Sequence, residues 1–502
     1  MHFTAHFPKV ITLFLALMIL FGALLRFFSF QKNSYLHGDV VLHCAVVESL
    51  ANKKGFFVSY AFSDLLPLNK PESLGYPVNQ HPPLWPLLGA ALIPFTRNAF
   101  TALKTVGLLS GTALIFFSFL FARRFFGKKV ALLTTFAVTF SALLIDYSSN
   151  GSLYIFQALL YLLFVLCAQK LQRTVCWSGL GSIAGSGWLL NYQNVVLVFA
   201  IPVLYVFVFR STCLYRKNLV KLLGAIGTLF IVVLPWLVRN YLVFGQPFHN
   251  INMYYFWGKM GVAASAPLSD PLLIKKIVTW VSWWTTHNIY YVFRELFLLA
   301  PVVFAFALWG LPTGIAHLCK RKHTGEIACA LIMVLYCGIC CIWPVVKFRY
   351  FVPLVPFVFA FGFYVLCSLR QRIIRRIGVV ISLCTILLFS ALTFLSIPSR
   401  TFYYGGALTK DIFGKRGEAE FAQEANALLE VALFLKRQPP RPICGEPALH
   451  FYTGLPVVLD KNLLRGIKYY SVRPAAPTAK DTTRETVIFK NNRFQVSICH
   501  EL

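Results

Sequence analysis

The sequence predicts an all-α polytopic membrane protein with a small α/β domain at its C-terminal end, and three observations point there. Of the 502 residues, 58% are hydrophobic and 13% are charged, where soluble globular chains carry about 25% charge. Mean hydropathy is +0.67, and apolar runs of membrane-crossing length recur through the first four-fifths of the chain. Of the 18 carboxylates, eight precede residue 397 and ten follow it. Residues 1–396 therefore read as the membrane-embedded part, and 397–502 as a small extracytoplasmic domain.

The net charge of +29 suggests nucleic acid only until the positions are read. Lys and Arg cluster in short loops between apolar runs, which is the positive-inside pattern of a membrane protein. No basic-aromatic nucleic-acid motif is present. The 13 cysteines mostly lie in or beside apolar runs, where Cys behaves as a small hydrophobe. Cys337, Cys340 and Cys341 sit inside a predicted span with no His or acidic neighbour, so they do not read as a metal site. No cofactor or metal is implied anywhere.

The first run, about 10–29, is long enough to cross a bilayer. It lacks a small-residue cleavage site and continues into Arg26-Phe27-Phe28, so it reads as an uncleaved anchor. A polar stretch, roughly 30–82, follows. Pro82-Pro83-Leu84-Trp85 then leads an apolar run to Phe95, too short to span and typical of an interfacial helix. Five basic loops set the topology: Arg123 to Lys129, Lys170 with Arg173, Arg210 to Lys221, Lys320 to Lys322, and Arg370 to Arg376. All five reach the cytoplasm if 83–95 does not cross and 176–209 is a hairpin turning near Asn191. The predicted spans are then 10–29, 101–121, 130–146, 154–169, 176–190, 194–209, 219–238, 295–315, 327–344, 350–368 and 377–396. That makes about eleven, with the N-terminus inside and the C-terminus outside.

Loop 30–100, turn 146–153, loop 239–294 and the tail then meet on the outer face. The inner loops are short and basic, and there is no GxxxxGK[ST] phosphate loop. Direct use of a cytoplasmic nucleotide is therefore not expected. Outer carboxylates are few: Asp39, Glu48, Asp64, Glu72, Asp146, Asp270 and Glu295. Asp39 follows His37-Gly38 and opens a helix predicted over Val40 to Ala51. An Asp there serves as a helix N-cap, as a general base, or as both. His81 precedes the Pro-started helix with its Trp anchor. Arg239, in Trp236-Leu237-Val238-Arg239-Asn240-Tyr241, ends a span where a snorkelling Arg is also at home. Lys347 and Arg349 stand before Pro353 and Pro356 on the side where topology does not favour positive charge. Phosphate is their natural ligand.

The order of these strings resembles a family. Gly38-Asp39 lies in the first outer loop, followed by His81-Pro82-Pro83-Leu84 and Ala122-Arg123-Arg124-Phe125-Phe126-Gly127. Further on come Pro235 to Tyr241 with Phe244-Gly245, and Arg349-Tyr350 with Pro353 and Pro356. This is similar to the GT-C superfamily of polyprenyl-phosphate-sugar-dependent glycosyltransferases, in the branch of the protein O-mannosyltransferases and lipid A aminoarabinose transferases. The tail from Cys444-Gly445-Glu446-Pro447 to Tyr452-Thr453-Gly454 resembles the small outer domain that often ends such chains. The resemblance implies a sugar moved from a polyprenyl-phosphate donor to an envelope acceptor (lipid, glycan or protein) on the extracytoplasmic face of the inner (plasma) membrane, with inversion. Asp39 matches the acidic residue that takes the acceptor proton or orients the acceptor. Lys347 and Arg349 match the basic stretch that neutralises the leaving phosphate. His81 stands where some relatives have a Lys, and Arg239 is grouped with these phosphate-binding residues.

Three positions depart from the pattern. Asp146 lies several residues before the place of a second acidic residue in many relatives. Asn191-Tyr192 replaces a Lys of the aminoarabinose branch, and Val40 follows Asp39 where the mannosyltransferases have paired acids. Two rival classes are a flippase for a lipid-linked sugar and a surface-polysaccharide ligase or polymerase. The sequence shows no internal repeat, and the mid-span regions hold almost no ionisable residues, both of which a transporter often has. A carboxylate at Asp39 separates the transferase from the ligase.

Overall fold

The computed structural model describes residues 9–32, 38–58, 76–78, 81–171, 173–209, 215–250, 260, 271–299, 303–308, 324–342, 348–396, 427, 430–441, 443–444, 457–458, 469–474, 485–490 and 494–499. The helices follow the apolar runs. They are α1 (Lys9–Lys32), α2 (Gly38–Ala51), α3 (Leu84–Thr96), α4 (Ala99–Phe126), α5 (Lys128–Phe140), α6 (Ala142–Tyr147), α7 (Tyr154–Ala168) and α8 (Thr174–Leu190). Then come α9 (Val195–Phe209), α10 (Arg216–Phe244), α11 (Leu273–Leu299), α12 (Thr324–Ile342), α13 (Val355–Ser368) and α14 (Arg372–Ser396). Among the described residues, five helical stretches are long and apolar enough to cross a membrane: Lys9–Gln31, Ala99–Phe126, Tyr192–Phe209, Arg216–Phe244 and Arg349–Ser368. Shorter apolar helices accompany them, Leu84–Thr96 included. This is a multi-pass membrane protein.

Two elements differ from the sequence reading. The run 130–146 is divided at Ser141, whose extended backbone ends α5 and whose Oγ accepts from Leu144 N at 3.5 Å to start α6. α11 occupies part of what reads as the outer loop 239–294, because its Lys275, Lys276, Thr and Trp residues mask the helical period.

The chain divides into two compact units. The first comprises Met1–Gln31, Asn79–Leu88 and Leu103–Ala391. Its interior is closed by aromatic edge-to-face pairs such as Phe121 with Phe357 (5.1 Å between ring centroids) and Phe126 with Phe361 (5.1 Å). α8 and α10 approach closely because small residues line their contact. A Cβ added at Gly181 would stand 2.0 Å from Ala225 O, and one at Gly185 would stand 3.1 Å from Leu229 O. Thr228 Oγ1 donates across this contact to Ser178 O at 3.0 Å. Close backbones held by small residues are the usual way helices associate in lipid. The outward faces stay apolar, with Leu13, Leu20, Leu24, Phe230 and Ile231 exposed.

The second unit comprises Lys32–Val78, Gly89–Ala102 and Leu392–Leu502. α2 packs against the short strand β1 (Phe57–Val58), which pairs antiparallel with β2 (Tyr76–Pro77). In the tail, β3 (Ile443–Cys444), β4 (Val457–Val458), β5 (Tyr469–Pro474), β6 (Glu485–Lys490) and β7 (Phe494–Cys499) form a mixed sheet in the order β4-β3-β5-β7-β6. Cys444 faces Ser471 on β5, and Ser471 faces Ser497 on β7. With β5 between β3 and β7, Cys444 and Cys499 are separated by two strand spacings of about 4.8 Å each. That exceeds the reach of a disulfide, and both cysteines are free.

Candidate active site

The break between α5 and α6 creates a problem that the first unit solves with cations. A helix of 13 residues is about 20 Å long, short of a hydrocarbon core of about 30 Å. Its last carbonyls lack helical partners, and lipid offers none. Arg26 of α1, fully buried, supplies them. Its Nη2 donates to Val138 O at 3.0 Å and its Nη1 to Thr139 O at 3.3 Å. Ser390 Oγ donates to Phe140 O. A cation at a helix C-terminus also meets the negative end of the helix dipole. Lys104 of α4 treats α1 in the same way, donating to Phe30 O with its ammonium 4.3 Å above the Phe30 ring.

The turn that follows α6 is gripped from three sides. Arg26 Nε donates to Ser148 Oγ at 3.2 Å, and Ser29 Oγ lies 2.7 Å from Ser149 Oγ. Trp85 Nε1, four residues after His81, donates to Gly151 O at 2.9 Å. Gly151 has φ +80, a left-handed conformation that glycine adopts without strain. Asp146 stands at the start of this turn and takes a hydrogen bond from the Asn150 side chain.

The turn delivers aromatic rings to Arg349. Tyr147 meets Tyr154 edge-to-face at 6.1 Å, and Tyr154 lies 6.0 Å from Tyr350. Arg349 is the second residue of the 3-10 helix Phe348–Leu354, which packs on α7. Its guanidinium carbon lies 6.0 Å from the Tyr154 ring centre and 5.7 Å from that of Tyr350. These distances are within cation–π range. Ring contact engages the flat face of a guanidinium, and phosphate binding engages its edge, so the two are compatible.

One turn along α7, Gln157 begins a buried polar network. Its Nε2 lies 2.7 Å from Asn194 Oδ1 and 3.1 Å from Tyr161 OH. Tyr161 OH donates to the same Asn194 oxygen at 2.7 Å, and Asn194 Nδ2 donates to Gly187 O at 2.8 Å. These bonds fix the turn Asn191–Asn194, from which Tyr192 OH accepts from Trp236 Nε1 at 3.2 Å. Arg239, one turn beyond Trp236, sits over it at 4.7 Å and over Phe244 at 5.1 Å. Its Nη1 donates to Asn240 Oδ1 at 2.9 Å. α10 ends at Gly245, whose φ of +74 supplies the left-handed C-terminal stop. The chain then returns His249 onto Phe244, with the rings stacked at 4.3 Å. Burial, and after it the charge of Arg239, hold the His249 imidazole below its ordinary pKa.

Residues 80–238 match the family model described as dolichyl-phosphate-mannose-protein mannosyltransferase. The fold matches the crystal structure of ArnT from Cupriavidus metallidurans bound to undecaprenyl phosphate, with a TM-score of 0.57 and 13% identity over 98% of each chain. The apo ArnT structure matches equally, at TM-score 0.57 and 14% identity over 98% of each chain. The oligosaccharyltransferase of Archaeoglobus fulgidus, tethered to an acceptor peptide containing the NVT sequon, matches at TM-score 0.55 and 11% identity. That match covers 92% of this chain and 68% of the archaeal one. No curated protein matches the sequence. The chain has a GT-C glycosyltransferase fold. The family segment covers about a third of the chain, and the structural matches extend the likeness in fold over nearly all of it. The segment matched to the mannosyltransferase model contains His81, Asp146 and Tyr192 and stops one residue before Arg239.

The residues expected to bind phosphate are placed by the structure where it describes them. Arg349 and Arg239 are half-buried, each seated on aromatic rings of the first unit. His81 is half-buried in the same unit, just before the Trp85 anchor. Lys347 lies outside the described residues. Asp39 belongs to the second unit, half-buried in the first turn of α2 rather than at its cap. A carboxylate in a first helical turn faces the positive end of the dipole. Sequence reasoning missed Arg26, Ser148, Tyr154 and the Gln157–Asn194 pair. Arg26 alone carried a readable signal, a charge inside a membrane span.

Proposed function

We propose that this GT-C enzyme moves a sugar from a polyprenyl-phosphate donor to an envelope acceptor, a lipid, a glycan or a protein, on the extracytoplasmic face of the inner (plasma) membrane. In this reading the N-terminus is cytoplasmic and the C-terminus extracytoplasmic, the arrangement the basic loops favour. The observation that carries this reading is the match over 98% of both chains to an ArnT captured with undecaprenyl phosphate.

In the proposed reaction the acceptor oxygen or nitrogen attacks the anomeric carbon from the face opposite the phosphate. A new bond forms between acceptor and sugar, the bond from sugar to phosphate oxygen breaks, and polyprenyl phosphate leaves with inversion. Asp39 takes the acceptor proton. Arg349, with Lys347, His81 and Arg239, neutralises charge on the leaving phosphate, which acts most strongly where charge develops. A donor carried as a lipid phosphate needs no cytoplasmic nucleotide in the transfer step.

The test is a transfer assay with purified protein and polyprenyl-phosphate sugars, the acceptor being found by mass spectrometry of envelope lipids, glycans and proteins from a strain lacking the gene. Asp39→Asn keeps a side-chain oxygen in the first turn, so the protein folds, while turnover drops by roughly 10² or more. Normal turnover by Asp39→Asn would reduce Asp39 to a structural residue.

A further inference from the structure

We propose that Arg26 is a positioning residue for the donor site, acting through the turn after α6. An arginine buried within a membrane span is expensive, and it persists where it has work to do. Here it makes four hydrogen bonds that no other residue type could combine. Besides Val138 O, Thr139 O and Ser148 Oγ it returns to Gly22 O of its own helix at 3.1 Å. Three bonds reach residues 112 to 122 positions along the chain, two at the end of α5 and one in the turn after α6, so Arg26 bridges the break.

What this fixes is the place of Tyr154. Arg26 sets Ser148, and Trp85 sets Gly151, so both ends of the turn are held before α7 begins. Tyr147 and Tyr154 flank the turn and touch each other, and Arg349 rests on Tyr154. A shift of Ser148 therefore moves the ring on which the guanidinium sits. The space around the clamp is closed. A Cβ at Gly111 would stand 2.0 Å from Ser148 Oγ and 3.0 Å from Arg26 Nε, and one at Gly107 would stand 2.9 Å from Ser148 O. α4 thus presses the turn onto Arg26, and the register of the turn has little freedom to drift.

The inference rests on the donor reading above, and its test separates the two. Undecaprenyl phosphate is titrated into the purified full-length protein in detergent. The variants are Ser148→Ala, Gly111→Ala, Arg26→Lys and Arg349→Ala, with Ser382→Ala as a buried control whose hydroxyl bonds only within its own helix. Arg26→Lys supplies charge but cannot span four acceptors, so it restores little. Ser148→Ala and Gly111→Ala weaken binding about fivefold or more, Ser382→Ala leaves it unchanged, and all stay folded. The deciding readout is coupling. In an Arg349→Ala background, Ser148→Ala adds nothing further, because its effect runs through that arginine. Effects that multiply, or wild-type affinity in folded Ser148→Ala and Gly111→Ala, would overturn the positioning role. Failure of the wild type to bind undecaprenyl phosphate would overturn the donor reading, and the inference with it.

Discussion

The first unit holds two kinds of cation, and they differ in what satisfies them. Arg26 and Lys104 are buried and bonded to the last carbonyls of neighbouring helices. Arg239 and Arg349 are half-buried and rest on aromatic faces. A carbonyl cage uses up the donors of a cation and fixes the helices it joins. A ring contact instead orients the guanidinium plane. Positive charge in a membrane protein is therefore not one signal. The caged pair repairs helix ends that lipid cannot solvate, and the ring-seated pair is the one proposed to meet the donor phosphate.

The sharpest way to break this division is to remove a caged cation. Lys104→Met deprives Phe30 O of its donor, which costs about 1–3 kcal/mol for a buried acceptor. A thermal or denaturant melt of the detergent-solubilised protein reads that loss, while the donor KM of the folded enzyme stays at the wild-type value. A KM that rises with little loss of stability would give Lys104 a part in the donor site as well as in the helix end.

A smaller effect sharpens the ring-seated class. His249 stacks on Phe244 beside Arg239, and its pKa is depressed first by burial and then by that charge. As pH falls, the unfolded chain takes up this proton before the folded one. The stability linked to His249 is complete above the unfolded value of about 6.5 and is lost as pH falls through the folded value. His249→Gln flattens that acid-side loss in melts recorded from pH 7 to 5. An unchanged pH profile would detach His249 from the Arg239 cluster.

Much of the membrane framework was legible because hydrophobic length and basic loops report directly on bilayer crossing. The short helix at Leu84–Thr96, the turn at Asn191 and the long helix that carries Arg239 follow from local sequence, although that helix runs on to Phe244. What stayed hidden depends on distant partners. Ser141 looks like one more small residue in an apolar run, because the break it starts is stabilised by Arg26 and Ser390, far away in sequence. Gln157 looks like an isolated amide until Asn194 and Tyr161 surround it. α11 was hidden for the opposite reason, since its polar and aromatic residues imitate a loop. Of the proposed site, Arg349 and Arg239 were legible as cations in unusual places. Tyr154 and Trp236, the rings beneath them, were not legible as their supports.

Arg349 carries the proposed donor site, and steady-state kinetics with a polyprenyl-phosphate sugar address its role most directly. If Arg349 grips the donor phosphate in the ground state, Arg349→Ala raises donor KM. If it acts mainly on the leaving phosphate, kcat falls instead. A combined loss in kcat/KM of roughly tenfold or more is expected, with an unchanged melting temperature and only partial rescue by Arg349→Lys, which loses the planar fork. Wild-type kcat and KM for a folded Arg349→Ala would contradict the account, and would leave Arg349 as a cation that merely faces anionic headgroups.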